Sequence, residues 1–255
     1  MIDDRQIFTF VLVLSRVSAF IAFFPLFAQR QLPTLVKAGL ALSLTFFWFG
    51  TMPDAMFVDA KMNIVNTVVF LGKEIGIGFL MAVLMGFIFV PAKIAGAYIG
   101  QEIGLSLASV SSPGTADAST LVTTLFETFA ILLFFGLNLH HLMVTFIHYS
   151  LVEVGANISL TDLPYELLVN ITGSLTEQGN LIVGPIGLCL FVLTIGLALL
   201  NKAAPTLNLF SVGMTIRSGL GLFCLIVFFP MIIKSMAMYF EIHSHNLESF
   251  LAYFK

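Results

Sequence analysis

Residues 64–100 read IVNTVVFLGKEIGIGFLMAVLMGFIFVPAKIAGAYIG, and only Lys73, Glu74 and Lys93 interrupt their apolar character. A hydrocarbon core about 30 Å thick is crossed by roughly 20 helical residues. As one straight helix rising 1.5 Å per residue the run would measure about 55 Å, too long for a single upright crossing. Pro91 has no backbone N–H and clashes with the preceding turn, so a kink or a division is expected near it. The stretch predicts an integral membrane protein built of helices, some of them broken.

The rest of the chain reads the same way. Of its 255 residues, 58% are hydrophobic and 10% charged, and the mean hydropathy is +1.02, whereas a soluble domain carries about 25% charged residues. Six apolar regions can be marked, at 7–28, 36–53, 64–90, 121–150, 181–200 and 209–240. Between them lie turn signals at Pro33, Met52-Pro53-Asp54, Pro113-Gly114 and Asp162-Leu163-Pro164. The net charge of −3 and the lack of any Lys/Arg cluster argue against nucleic acid or an anionic-lipid patch as partner. The acidic start MIDDRQIFTF, with Arg16 inside what would be a signal core, does not read as a signal peptide, and the N-terminus is expected to be retained. Arg30 and Lys37 flank the first connection, and Lys202 and Arg217 the fifth; residues 151–180 hold Glu153, Asp162, Glu166 and Glu177 with no basic residue. The positive-inside rule then places connections one and five in the cytoplasm and both termini outside.

Ionisable side chains fall within apolar regions, among them Arg16, Lys73, Glu74, Glu127, His140, His141 and Lys234. A charge at bilayer depth costs about 3 kcal/mol or more, so such groups face protein or water. A chain with this many reads as one subunit of a larger assembly. If 121–150 is one helix, Thr123, Glu127, Asn138, His141, Thr145 and His148 share a face at 100° per residue. A polar stripe of that kind serves as a hydrogen-bonded seam between helices or lines a watery path. His141 and His148 lack an acidic or cysteine pair to complete a metal site, so none is expected.

Small residues recur every fourth position at Ala92, Gly96, Gly100, Gly104 and Ala108, and Gly72 with Gly76 repeats the spacing. They clear a groove for close backbone approach, by another helix of this chain or by a partner's. The row runs into QEIGLSLASVSSPGTADAS (101–119), which has no aromatic residue and lies between two very apolar stretches. Leu105, Ser106, Leu107, Ala108, Ser109 and Val110 precede the Pro113-Gly114 turn, with Leu107 and Val110 forming an apolar edge. Taken alone, this segment also suits a re-entrant connector whose small residues serve only packing. Cys189 and Cys224, inside apolar runs, read most simply as buried small hydrophobes, not as a disulfide framework or a metal site. H-E-x-x-H, G-x-S-x-G and G-x-x-x-x-G-K-[ST] are all missing, and Ser106 in GLSLA has no paired His, so no enzyme and no cofactor is expected.

NKAAPTLNLFSVG (201–213) resembles the R-A-A-P-Q-L-N-[VI]-F-x-[VL]-G stretch of the FliR family, whose members are flagellar export-gate proteins of type III secretion with injectisome (SctT) relatives. Lys202, Pro205, Asn208, Phe210 and Gly213 stand on the motif positions. Arg16, Pro25, Pro33 and Lys37 resemble the family's N-terminal pattern, and Lys73-Glu74 with Gly76, Gly78 and Gly86 its E-x-x-x-G-x-x-x-G-like helix. Gln101 to Gly114 resembles the Q-x-G-[LF]-S-x-A-x-x-x-D-P-G loop, and Asn138-Leu139-His140-His141 the N-G-H-H element. The motifs run in family order across nearly the whole chain. Departures are Lys37 and Lys202 for arginine, Thr206 for glutamine, Leu139 for glycine and Ser112 for the loop's aspartate.

The resemblance implies an all-α membrane protein of about six helical segments, some kinked or broken, packed into a helical hetero-oligomeric channel. It implies one membrane domain, 1–255, with a FliP-like part over 1–180 that carries the loop 101–120, and a FliQ-like hairpin over 181–255. One copy would join several FliP-like and FliQ-like subunits, beside an FlhB-like switch protein, in the lipid of the bacterial inner membrane at the flagellar basal body. Unfolded flagellar subunits would pass through this channel, and residues 105–117 would plug it when closed. From the residues alone, a competing reading is an ion or small-molecule secondary transporter using the Glu127–His148 stripe with Lys73 and Glu74 as a proton relay.

Overall fold

A computed structural model describes residues 4–28, 32–51, 64–104, 121–152, 165–203 and 209–252. Its elements are α1 (Asp4–Phe23), α2 (Pro25–Ala28), α3 (Thr34–Thr51), α4 (Ile64–Gly86), a 3₁₀ turn (Phe87–Phe89), α5 (Val90–Ile103), α6 (Leu121–Gly136), α7 (Leu139–Val152), α8 (Tyr165–Ala203) and α9 (Leu209–Ala252). Among the described residues there is no strand. Five helical stretches of the described residues are long and apolar enough to cross a bilayer: Arg5–Phe23, Thr34–Thr51, Ile64–Ile103, Thr172–Leu200 and Gly213–Ser249. The broken pair α6 and α7 makes a sixth if counted as one span. The chain is an all-α membrane protein.

The breaks have chemical causes. Phe24, just past the end of α1, donates its N–H to the Phe20 carbonyl (2.9 Å), and Pro25, which cannot donate, starts α2. The long apolar run divides at Phe87–Phe89, and Pro91 falls in the first turn of α5, where its missing N–H is no loss. Gly104 closes α5 in the left-handed conformation (φ 88°), donating its N–H to the Gln101 carbonyl at 3.0 Å.

Three expectations require correction. Region 121–150 is not one helix: it breaks at Leu137–Asn138, with Asn138 at φ 58°, a conformation that asparagine tolerates better than most residues. The acidic connection 151–180 is shorter than its charge pattern suggests, because α8 begins at Tyr165 and carries Glu166 and Glu177. The last two helices, of 39 and 44 residues, outrun the apolar regions 181–200 and 209–240. Hydropathy marks where lipid is tolerated, whereas a helix continues wherever its backbone stays paired.

Two compact units can be distinguished. One comprises residues 1–88, 138–169 and 244–255; the other comprises 89–137 and 170–243. In the first, α1 packs against both α3 and α4. Val17, Phe20, Phe24, Trp48, Ala82 and Met85 are buried there, with the Phe20 and Phe24 rings stacked at 5.2 Å. In the second, α5 packs along α6. Ala95, Ile99, Phe126, Ala130 and Phe134 are buried, and Phe89 meets Phe134 at 5.5 Å.

Candidate functional site

The charges at membrane depth show what this chain must hold together. Arg16 on α1 and Glu74 on α4 form a two-pronged pair, Nε to Oε2 at 2.5 Å and Nη2 to Oε1 at 2.9 Å. Their side chains are 3% and 5% exposed. The third nitrogen, Nη1, donates to the carbonyl of Ser150 in the last turn of α7. Carbonyls in a final helical turn have no partner within the helix, and a cation there also meets the negative end of the helix dipole. Arg16 therefore satisfies one carboxylate and one orphaned carbonyl, and it ties three helices that are distant in sequence. The expected cost of these charges is met by pairing inside the chain.

The backbone brings the pair together. Glu74, Gly78, Ala82 and Gly86 lie every fourth residue on α4 and are all buried. A Cβ at Gly78 would strike the Arg16 carbonyl oxygen and lie 3.1 Å from Ala19 Cβ; one at Gly86 would lie 2.8 Å from the Pro25 ring. The close-packing row of α4 is this one. Gly72 and Gly76, which the sequence singles out, are exposed and have nothing within 4 Å of a built Cβ.

On α5 the row Ala92, Gly96, Gly100 and Gly104 is placed as follows. Ala92, Gly96 and Gly100 are buried. A Cβ at Gly96 would lie 2.7 Å from Thr123 Cα and 3.1 Å from the Val122 carbonyl oxygen, so this glycine serves contact with α6 in the same chain. Gly104 faces Ser218 and Met214 of α9 at 3.9 and 4.0 Å. Three further contacts hold this end of α5 to α9. Arg217 pairs with Glu102, the Ser218 hydroxyl donates to the Ile103 carbonyl (2.8 Å), and Ile103 fills the space left by Gly221. The Arg217 and Glu102 side chains are 31% and 28% exposed, a wetter pair than the first.

The polar stripe does not survive as one face. Glu127 on α6 approaches Lys93 of α5 at 3.7 Å, while Asn138, His141, Thr145 and His148 lie exposed beyond the break. The His141 and His140 rings are 4.3 Å apart, and Thr145 donates locally to the His141 carbonyl (2.9 Å). Lys73 is half-buried beside Glu74 in sequence. Among the described residues no three His, Cys, Asp or Glu side chains converge on a metal-sized site.

Leu105, Ser106, Leu107, Ala108, Ser109, Val110, Pro113 and Gly114 lie outside the described residues, as do Pro205 and Asn208. Lys202 is exposed near the end of α8, Phe210 belongs to the first turn of α9, and Gly213 is buried. Sequence reasoning missed Ser150, the Glu102–Arg217 pair and the Lys93–Glu127 approach, and it had Gly78 and Gly86 only through the family-like helix motif, not as a packing row. Charge matching carried a usable signal: Arg16 and Glu74 are opposite charges at membrane depth, each too costly to stand alone.

Comparison with known proteins bears on the whole chain. A family model described as bacterial export proteins, family 1, matches residues 7–242. The flagellar biosynthetic protein FliR of Bacillus subtilis is 25% identical over 249 residues, covering 95% of this chain and 94% of its own. FliR of Escherichia coli is 28% identical over 226 residues, covering 86% and 83%. The Yop proteins translocation protein T of Yersinia pestis is 24% identical over 230 residues, covering 88% and 87%.

Proposed function

Because this chain belongs to the bacterial export proteins, family 1, we propose that it is a channel and gate subunit of a flagellar type III export apparatus. Membership in such an apparatus, in a bacterial membrane, is the foundation of this reading. It rests on one observation: the family match covers residues 7–242, and flagellar and Yop relatives align over more than four fifths of the chain. The family is a structural part of an export machine, and no catalytic step is assigned to any residue here.

The finer reading is as follows. One copy assembles with FliP-like and FliQ-like subunits, next to an FlhB-like protein, in the inner membrane at the flagellar basal body. Residues 1–180 form its FliP-like part and 181–255 its FliQ-like part. Unfolded flagellar subunits cross through the assembled channel. Leu105 to Gly114, within 105–117, seal it between transport events by steric closure and dewetting, since narrow apolar constrictions exclude water and ions. Exposed apolar side chains support a role inside an assembly or against lipid. They include Phe46 and Phe47 on α3, Val68 and Val69 on α4, and Phe223 and Ile226 on α9. The transporter reading has less to stand on, because Glu127 and His141 lie on opposite sides of the Leu137–Asn138 break.

Conductance of the assembled complex after removal of Ser109–Ser112 tests the gate. A large, unselective ion leak is expected, while Leu107→Phe with Val110→Phe keeps the seal. An ion-tight membrane around a fully assembled deletion complex would overturn the gate assignment. Loss of coupled solute uptake without conductance would favour the transporter.

A further inference from the structure

Cys189 lies 16 residues before Pro205, and Cys224 lies 16 residues after Asn208. Although 35 positions separate them in sequence, α8 and α9 bring the two sulfurs to 3.0 Å. Both thiols are free and half-buried. The flanking sequences PIGLCLFVL (185–193) and LGLFCLIVF (220–228) contain no charge, and Leu188 and Phe223 beside them are 70% and 62% exposed. The pair thus sits on an apolar surface within two membrane helices, reached by apolar reagents more readily than by water-borne thiols. A covalent sulfur–sulfur bond is about 2.05 Å long, so closure requires about 1 Å of approach.

We propose that Cys189 and Cys224 form a reversible dithiol–disulfide site that takes a hydroperoxide as its oxidant. One sulfur attacks the O–O bond, which breaks; an S–O bond forms, and the thiol proton leaves with the departing oxygen as an alcohol, or as water from hydrogen peroxide. The product is a sulfenic acid, which condenses with a neighbouring thiol. The second sulfur then displaces the hydroxyl, forming S–S and releasing water that carries the second proton. Two thiols and one hydroperoxide thus give one disulfide, one alcohol and one water. Sulfur contact favours this condensation over further oxidation, because the second thiol is already beside the sulfenic acid. The bond closes a segment spanning 35 positions and fixes α8 to α9 until a reductant opens it.

The test uses the full chain in membranes with its co-expressed partners, treated with tert-butyl hydroperoxide and then denatured and labelled with a maleimide. Expected are loss of labelling at both cysteines together, a mass lower by two hydrogens, and full recovery with dithiothreitol. Cys189→Ser and Cys224→Ser should each abolish the form lighter by two hydrogens, leaving the remaining thiol to gain oxygen as a sulfenic acid or beyond. Continued labelling of both thiols under oxidant would overturn the site. So would independent oxidation of each to a sulfinic acid, or cross-linking between chains in place of within one.

Discussion

Two Arg–Glu pairs join helices that are far apart in sequence, and they live in different surroundings. Arg16–Glu74 links α1 to α4 with side chains 3% and 5% exposed, and Glu102–Arg217 links α5 to α9 with side chains 28% and 31% exposed. The first is dry, two-pronged and completed by the Ser150 carbonyl. The second is open on one side. The difference separates two tasks. A dry pair fixes a packing that cannot be half undone, because either partner alone is an unpaired charge in a poor dielectric. A wet pair positions an element with a contact that water can replace, and α5 ends beside that contact.

The strongest way to break the comparison is to remove one member of the dry pair. Arg16→Ala or Glu74→Ala strands its partner, and breaking a buried pair in this way costs about 3–5 kcal/mol. We expect the assembled protein to fall to a small fraction of its normal level. Arg16→Met with Glu74→Leu together should recover much of the loss, since replacing a buried pair by apolar residues of similar volume is often neutral. Protein level and melting temperature of the purified complex measure both. A single variant as stable as the parent would mean that the pair is not dry in the assembly.

How far this core was legible follows from the same residues. Arg16 and Glu74 declare themselves as costly at membrane depth, but their partnership spans 58 positions and depends on which face of α4 meets α1. Spacing of four marks Gly72–Gly76 and Gly78–Ala82–Gly86 alike; only the second row extends to Glu74 and Gly86, and that extension was the available clue. The break after α6 carried a signal in Gly136-Leu137-Asn138, since glycine and asparagine both favour helix C-termini. It was masked by the apolar run on either side. Helix number and class were readable because lipid imposes length and hydropathy; helix ends and partners were not, because tertiary contact decides them.

The two glycine rows of α4 give a smaller and more selective effect. Gly78→Ala forces a methyl group against backbone atoms of α1, and overpacking of that kind costs about 1–3 kcal/mol. Gly96→Ala meets the Cα of Thr123 and should cost a similar amount. Gly72→Ala and Gly76→Ala meet nothing in this chain, and alanine favours a helix over glycine by up to about 1 kcal/mol. Melting of the isolated chain in detergent should therefore fall for the first two and hold or rise for the others. If Gly72→Ala and Gly76→Ala leave the chain intact yet prevent recovery of the complex, that face is a partner's seat.

The smallest effect belongs to the wet pair, and ionic strength makes it the sharpest contrast. Glu102→Gln should cost less than loss of the dry pair, on the order of 1 kcal/mol, because water reaches this half-buried pair and weakens it, and the Ser218–Ile103 hydrogen bond remains to hold α5 on α9. Salt screens charges that water reaches, with a Debye length of about 10 Å at 0.1 M and about 3 Å at 1 M. The melting difference between the parent and Glu102→Gln should accordingly shrink as salt rises. Destabilisation by Glu74→Gln should stay nearly constant over the same range, because the Arg16 guanidinium it leaves behind is out of reach of counterions. A Glu74→Gln effect that shrinks with salt as steeply as that of Glu102→Gln would show that both pairs are wet, and that Arg16 and Glu74 share no dry core. A salt-independent Glu102→Gln effect would place its pair behind a partner subunit in the assembled complex, converting a positioning contact into part of an interface.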